Sequence, residues 1–89
     1  MTAPARVECA ADTWVLVAEN VTSGQLHRLE KSPNLYLQTY VDTGDAAPTD
    51  DNTAVPVFVG GESVIISNVS AIDVYIKAVG AAGAVRADL

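Results

Sequence analysis

The chain of 89 residues contains one cysteine, Cys9, and one histidine, His27. A lone cysteine cannot form an intrachain disulfide, so packing must hold the fold, and an oxidising compartment is not indicated. A lone histidine with no CxxC motif supplies too few ligands for a zinc or haem site within the chain. Because nothing in the sequence places Cys9 beside His27, we interpret Cys9 as a small packed residue and not as a nucleophile.

Other signatures of catalysis are missing as well. No serine lies in a G-x-S-x-G motif, and no two carboxylates have the sequence pattern of a general acid paired with a general base. The segment GAAG at 80–83 lacks the lysine of a phosphate-binding loop and fits a turn between two strands. We therefore expect a protein that is not an enzyme, with no catalytic residue, no bound metal and no cofactor.

Positive charge is scarce, with 5 Lys and Arg against 11 Asp and Glu, for a net charge of −6. A chain without a basic patch is poorly suited to nucleic-acid phosphates, so we expect no nucleic-acid partner. A protein that mimics nucleic acid needs carboxylates along one rigid face, whereas Asp42, Asp45, Asp50 and Asp51 crowd one segment. This pattern favours a solvated loop. An acidic inhibitor of a host nucleic-acid enzyme remains an alternative.

Long apolar runs are also absent. The longest run, residues 55–59, is too short to cross a bilayer, and residues 1–6 lack the apolar region of a signal peptide. These features predict a protein that is made and folded in the cytoplasm and has no membrane partner.

Residues 42–54 form the longest stretch without hydrophobic periodicity, which predicts a surface loop. Its carboxylates are ligands that calcium accepts, but their spacing does not follow the alternate positions of an EF-hand. We expect a mobile loop that is dispensable to the fold, although calcium binding stays open. On this interpretation, changing Asp50 and Asp51 together to Asn shifts the free energy of unfolding by at most about 0.5 kcal/mol.

Apolar and polar residues alternate along most of the remaining chain, which is typical of strands with one buried face. The clearest case spans residues 72–79 and resumes at 85–89 after the glycines, which predicts an antiparallel hairpin. Its inward side chains would be Ile72, Val74, Ile76, Ala78, Val85, Ala87 and Leu89. Further strands are predicted at 13–18, 25–30, 35–41, 55–59 and 62–67, with a turn at 20–24 and with Pro56 at a sheet edge or at a bulge.

The pattern of about seven short strands and no amphipathic helix predicts an all-β fold, either a small antiparallel β-sandwich or a barrel. We divide the chain into an N-terminal arm, residues 1–11, and a single β domain, residues 12–89. A domain of this size buries roughly 60–65% of its unfolded surface. The resulting core is thin, which favours oligomerisation or docking onto a partner.

The strand at 35–41 offers the best candidate interface. Leu35, Leu37, Thr39 and Val41 would face the core, and Tyr36, Gln38 and Tyr40 would share the other face. Tyrosine has an apolar ring and a polar tip, which suits a partly wet contact surface. The predicted interface residues are therefore Tyr36 and Tyr40, together with Val7 in the arm.

A series of short motifs in fixed order covers nearly the whole chain. They are WVLV (14–17), NVTSG (20–24), LYL (35–37), AAPT (46–49), GGESV (60–64), DVYIKA (73–78) and VRADL (85–89). In this order the chain resembles the short structural proteins of tailed bacteriophage virions, which are helix-poor β modules that coat, cement or decorate a capsid, or serve as small adaptors on head or tail.

The resemblance implies a non-enzymatic virion protein on the capsid exterior, most readily a decoration or stabilisation subunit assembled in the host cytoplasm. The implied partners are further copies of the chain and other virion proteins, above all the major capsid protein. No functional residue is carried over. A head or tail adaptor, or a fibre-base β module, is an alternative of the same kind, and a carbohydrate-binding or receptor-binding module is a further one.

Overall fold

The computed structural model describes residues 5–29, 36–57 and 63–88, with the backbone alone described at 36, 37, 57, 68 and 69. Within these residues it contains strands and no helix, which confirms the all-β class. The strands are β1 (Ala5–Cys9), β2 (Trp14–Arg28), β3 (Tyr36–Asp42), β4 (Val55–Val57), β5 (Ser63–Ala78) and β6 (Gly83–Asp88).

These strands form one antiparallel sheet in the order β1-β6-β2-β5-β3-β4. Strand β2 joins the segments predicted as separate strands at 13–18 and 25–30, and β5 joins those predicted at 62–67 and 72–79. The predicted turn at 20–24 is therefore wrong. Asn20 adopts a positive φ of 57°, but the chain continues through it as a strand with irregular register. Turn-forming residues at this point distort the strand without reversing it.

A strong bend divides the sheet in two. At about 3.3 Å per residue, the 15 residues of β2 would span roughly 50 Å if straight, whereas the longest extent of the molecule is 31 Å. The bend lies where β2 contributes Thr22 alone between two paired positions and β5 contributes residues 68–71. Such an excess of residues on one strand breaks the ladder and increases the local twist.

The two halves of the sheet pack as two layers of a small β-sandwich. We define layer A as β4, β3, residues 72–78 of β5 and residues 14–21 of β2. Layer B consists of residues 63–67 of β5, residues 25–28 of β2, and β6 and β1. One core cluster draws on both layers: Val17, Val21, Ile72, Val74, Ile76 and Ala78 from layer A, and Cys9, Leu26, Ile66, Val85 and Ala87 from layer B.

The predicted C-terminal hairpin is wrong in its pairing and right in its burial. Strand β6 pairs with β1 and β2, while β5 pairs with β2 and β3, so residues 79–82 cross from layer A to layer B. All the predicted inward residues within the described chain are buried, and Leu89 lies outside it. The alternation of apolar and polar residues along a strand predicts which side chains are buried, but it does not predict which strand pairs with it.

Residues 5–9, predicted as part of an N-terminal arm, form strand β1 instead. Cys9 is 1% exposed within the core, as expected for a packed cysteine. The chain after β1 is fastened to the end of β5, since Asp12 N donates to Ala78 O at 2.6 Å and Gly80 N donates to Asp12 Oδ1 at 3.1 Å. The sheet therefore begins before the predicted domain boundary at residue 12.

The position of Pro56 agrees with its sequence interpretation. It lies in β4, which pairs with β3 and ends the order of the strands that the structure describes. Proline has no amide proton for a second ladder, so it is compatible with an edge strand.

Candidate functional site

The two faces of β3 are arranged differently from the prediction. Gln38 lies opposite Ile76 and Tyr40 lies opposite Val74, and directly opposed residues share a face of the sheet. Ile76 and Val74 are core residues, so Gln38 and Tyr40 are on the core side of layer A. Thr39 is buried on the other face. The predicted assignment of the two faces is therefore wrong. Gln38 and Thr39 are on opposite faces and are both buried, so burial at this point does not follow the alternation of apolar and polar residues.

Tyr40 nevertheless remains 41% exposed, near the β4 edge of layer A. Burial of the rest of its side chain raises the pKa of the Tyr40 phenol above its ordinary value. On the same face, Val55 of β4 lies opposite Gln38 and is exposed. Tyr40 and Val55 are thus diagonal neighbours across Gln38. We call these three residues the β3–β4 patch.

Gln38 has an unusual position between the two exposed members of the patch. It is 5% exposed, and its Oε1 has no hydrogen-bond partner among the residues that the structure describes. Tyr36 lies two residues before Gln38 in β3, opposite Ala78 and Val57, and its side chain lies outside the described part of the chain. Val7, the third predicted interface residue, is half-buried in β1 and packs against the core.

The acidic segment 43–54 is fastened to the outer face of layer A. Trp14 Nε1 donates to the carbonyl oxygen of Asp50 at 3.2 Å, and Lys77 Nζ donates to Asp51 Oδ1 at 2.9 Å. The Lys77 ammonium also lies 5.8 Å from the centroid of the Trp14 ring, within cation–π range. We call Trp14, Lys77, Asp50 and Asp51 the loop clasp.

A second set of bonds holds the two ends of the acidic segment. The hydroxyls of Thr39 and Thr53 share a hydrogen bond of 2.9 Å, and Gly44 N donates to Asp73 Oδ2 at 3.3 Å. Asp73 is itself buried, and its Oδ1 accepts from Asn20 N at 3.0 Å. The segment predicted to be a mobile loop is therefore anchored at both ends and in the middle.

The clasp also determines what the loop carboxylates can bind. Asp51 is paired with Lys77, and Asp50 Oδ1 accepts from Asn52 N at 3.0 Å. Within the described residues no three side chains of the metal-binding types come together as a cation site. The carboxylates of Asp50 and Asp51 therefore serve in folding the loop.

A polar row crosses the outer face of layer B. Arg6, Arg86, His27 and Ser63 occupy consecutive positions across β1, β6, β2 and β5. Asp88 lies among them, with its Oδ2 at 3.1 Å from His27 Nε2 and its Oδ1 at 3.2 Å from an Arg86 terminal nitrogen. The carboxylates of Asp88 and Glu8 therefore lie within ion-pair distance of the basic side chains of this row.

The only cysteine and the only histidine lie on opposite faces of layer B. Cys9 belongs to the core, whereas His27 stands in the outer row. Burial, with a smaller effect from the charge of Glu8, raises the pKa of the Cys9 thiol to about 11. Cys9 is consequently a protonated thiol at neutral pH and has low nucleophilicity.

Sequence reasoning missed both Asp73 and the loop clasp. Asn20 and Gly44, which tolerate a positive φ, mark the two places where the backbone turns its amide toward Asp73. Their spacing from Asp73 carries no sequence pattern, so only the fold could bring them together.

Comparison with protein-family models, with curated proteins and with solved structures gives no match to this chain. In the part of the chain that the structure describes, no helix has the length and apolar character needed to span a membrane.

Proposed function

We propose that this chain is a non-enzymatic structural subunit of a tailed-bacteriophage virion that decorates and stabilises the capsid exterior. The order of motifs along the whole sequence supports this assignment to phage structural proteins. The fold is of the kind that the resemblance implies, a small helix-poor β module. The subunit acts through its surface, as one of many copies bound to the major capsid protein.

The observation that carries the proposal is the loop clasp. In many enzymes the longest loop lines a cleft and presents reactive groups. Here Trp14 and Lys77 bind the longest described loop down against the outer face of layer A. Asp73 likewise serves the backbone of the chain. Trp14, Lys77 and Asp73 thus hold the loop and the backbone in place, which suits repeated docking at fixed geometry.

The β3–β4 patch is the proposed contact with the capsid. A half-exposed tyrosine beside an exposed valine offers apolar area and one hydroxyl, and tyrosine is enriched in protein interfaces. The net charge of −6 disfavours contact with packaged nucleic acid. This charge supports a place on the outside of the shell.

The test begins with mass spectrometry of purified particles, fractionated into shells and tails. We expect the protein on shells in many copies, and particles that lack it should tolerate heat and osmotic shock less well. Purified protein added back should bind those particles and restore the tolerance. Recovery with tails alone would favour the adaptor alternative, and absence from all particle fractions would overturn the proposal.

A matched pair of variants tests the contact surface. Tyr40→Ala should weaken binding to shells by about tenfold or more, as for a tyrosine central to an interface. Leu16→Ala is the control, because Leu16 is also 41% exposed but lies on the outer face of layer A, opposite Tyr75. Equal effects of the two substitutions would exclude the β3–β4 patch as the contact.

One observation favours the acidic inhibitor as a second candidate. The clasp holds Asp50 and its neighbours against a firm surface, and fixed carboxylates are what mimicry of nucleic acid requires. Against it, Asp51 is neutralised by Lys77 and Asp73 is buried. Retention of a host nucleic-acid enzyme by the purified chain, released by added DNA, would support this candidate.

A further inference from the structure

The two ends of the acidic loop are fastened by buried groups. At one end Gly44 N donates to the carboxylate of Asp73, which is 5% exposed. At the other end the Thr53 hydroxyl shares a hydrogen bond with Thr39, which is also 5% exposed. Bonds to buried groups are costly to break, because the group that loses its partner stays away from water. We therefore expect both ends to stay in place whenever the sandwich is folded.

The middle of the loop is held by exposed contacts of the loop clasp. Trp14 Nε1 donates to the carbonyl oxygen of Asp50, and Lys77 Nζ donates to the carboxylate of Asp51. The Asp51 side chain is 47% exposed in this pair. Water replaces an exposed hydrogen bond at little cost, and dissolved salt weakens an exposed ion pair. The loop clasp therefore breaks more easily than the bonds at the two ends.

The middle of the loop also buries little of its own surface. Residues 45–52 all lie within the described chain, and they are exposed except for Pro48, which is partly buried. Burial of apolar surface is the dominant favourable term in folding. A segment with few buried apolar contacts and exposed hydrogen bonds has a low local stability. Separation of this segment from the sheet should thus cost less than unfolding of the sandwich.

Gly44 provides a pivot at the start of this segment. Its φ is 91°, and a Cβ built on it would meet nothing within 4 Å. Glycine adopts both signs of φ with similar ease. Steric contacts with the rest of the fold therefore do not oppose a rotation of the backbone at this point.

We propose that residues 45–52 form a strap that opens away from layer A while the sandwich stays folded. The ion pair of Lys77 with Asp51 controls how often the strap opens. Opening frees the Trp14 indole N–H and the Lys77 ammonium, whose nitrogen lies 5.8 Å from the centroid of the indole ring. The strap is thus a salt-sensitive cover over the single tryptophan of the chain.

Opening of the strap goes beyond the proposed function and does not depend on it. The β3–β4 patch lies on the core side of layer A, whereas the strap covers the outer face. The bonds of Asp73 and Thr39 keep the strands beside the patch in place when the strap opens. Strap opening is measured with the purified protein and capsid binding with particles, so each can fail while the other holds.

Hydrogen exchange of the Trp14 indole N–H is the principal experiment, because this proton is bonded to the strap. Measured by NMR at low salt, it should be protected relative to free tryptophan, and low concentrations of urea should leave its exchange rate unchanged, as for local opening. The backbone amide of Ile76, which is paired on both sides, should exchange through global unfolding, at a rate that rises with urea.

Two results would overturn the strap. One is an indole proton with the same free energy of opening and the same urea dependence as the Ile76 amide, since the loop would then open together with the sandwich. The other is an indole proton without any protection, since the strap would then not be closed.

Asp51→Asn tests the role of the ion pair. It leaves Trp14 and Lys77 in place, so a change in the exchange of the indole proton reports on the strap and not on altered surroundings of the ring. The open fraction should rise by up to about fivefold, the factor expected for loss of an exposed ion pair. Asp45→Asn is the matched control, because it removes an exposed carboxylate of the same strap that lies outside the loop clasp. If the control had as large an effect, net charge and not the contact with Lys77 would control the opening.

Sodium chloride tests the same ion pair without a substitution. Between about 10 mM and 1 M the Debye length falls from about 30 Å to about 3 Å, so the open fraction of the native protein should rise toward that of Asp51→Asn. The same change in salt should have little effect on the variant. Quenching of Trp14 fluorescence by acrylamide, which is uncharged, measures the exposure of the ring, and circular dichroism checks that the sandwich stays folded. Quenching of the native protein that does not depend on salt would overturn control by the ion pair.

Discussion

Asp73 accepts a hydrogen bond from the backbone amide of Asn20, 53 residues earlier in the chain, at 3.0 Å. Its other carboxylate oxygen accepts from Gly44 N at 3.3 Å. One buried side chain thus joins the irregular part of β2 to the turn after β3. A carboxylate bonded to two amides is stronger in this role than a neutral acceptor.

Asp73→Asn should lower the free energy of unfolding by about 1–3 kcal/mol. The amide has the same shape but only one acceptor oxygen, so one backbone N–H would lose its partner. Urea denaturation measures the change. Asp45→Asn is the control, because Asp45 is exposed. Equal stability of the two variants would show that the Asp73 bonds contribute nothing.

Ile76→Asp should prevent folding. Ile76 is fully buried, and an unpaired carboxylate at its site would cost several kcal/mol against a total stability on the order of 4–13 kcal/mol. Ile65→Asp, at a residue of the same strand that is 72% exposed, should fold and melt cooperatively. Circular dichroism and thermal melting distinguish the two. A soluble, cooperatively melting Ile76→Asp protein would contradict the core assignment.

The loop clasp changes the expectation for the acidic loop. Asp51→Asn should cost up to about 1 kcal/mol, since it removes a partly exposed ion pair with Lys77, whereas Asp50→Asn should cost less because the backbone oxygen of Asp50 serves the clasp. Thermal melts at low and high salt measure the difference, which should shrink as salt screens the pair. If millimolar calcium raised the melting temperature of the native protein, but not that of the double variant with both Asp50 and Asp51 changed to Asn, a metal site would instead be established.

Gln38→Leu should stabilise the protein by about 1 kcal/mol. It removes a buried carbonyl oxygen that has no partner among the described residues and replaces it with an apolar group of similar size. Gln25→Leu, at an exposed position of β2, should change stability by less than about 0.5 kcal/mol. Destabilisation by Gln38→Leu would indicate that the native amide is satisfied by a bound water.

Stability should fall as pH rises from about 9 toward 11, because the pKa of the Cys9 thiol is raised from 9.0 to about 11 in the folded protein. In that range the unfolded chain releases the proton while the folded chain retains it, so ionisation favours unfolding. The full loss would be on the order of 2–3 kcal/mol. Urea titrations of the native protein and of Cys9→Ala test this, since the variant should lack this component. Parallel pH curves for the two proteins would contradict it.

Much of the core could be predicted because strand geometry is local. Val74, Ile76 and Val85 alternate with their neighbours, and any extended strand sends alternate side chains to opposite faces whatever lies beside it. The edge position of Pro56 followed from a missing amide proton. The candidate interface stays a prediction: Tyr40 is 41% exposed, although it shares the core-side face of β3 with the buried Gln38.

Residue chemistry and the period-two alternation of apolar and polar residues therefore determined the all-β class, the inward residues of β5 and β6, and the packed state of Cys9. Tertiary structure alone decided that residues 20–24 continue a strand, that β6 pairs with β1 and β2, and that Trp14 and Lys77 hold down the acidic loop. The physical reason lies in the hydrogen bonds. A strand bonds to residues far along the chain, and its own alternation is the same for every neighbour, so pairing is settled only when the whole core is packed.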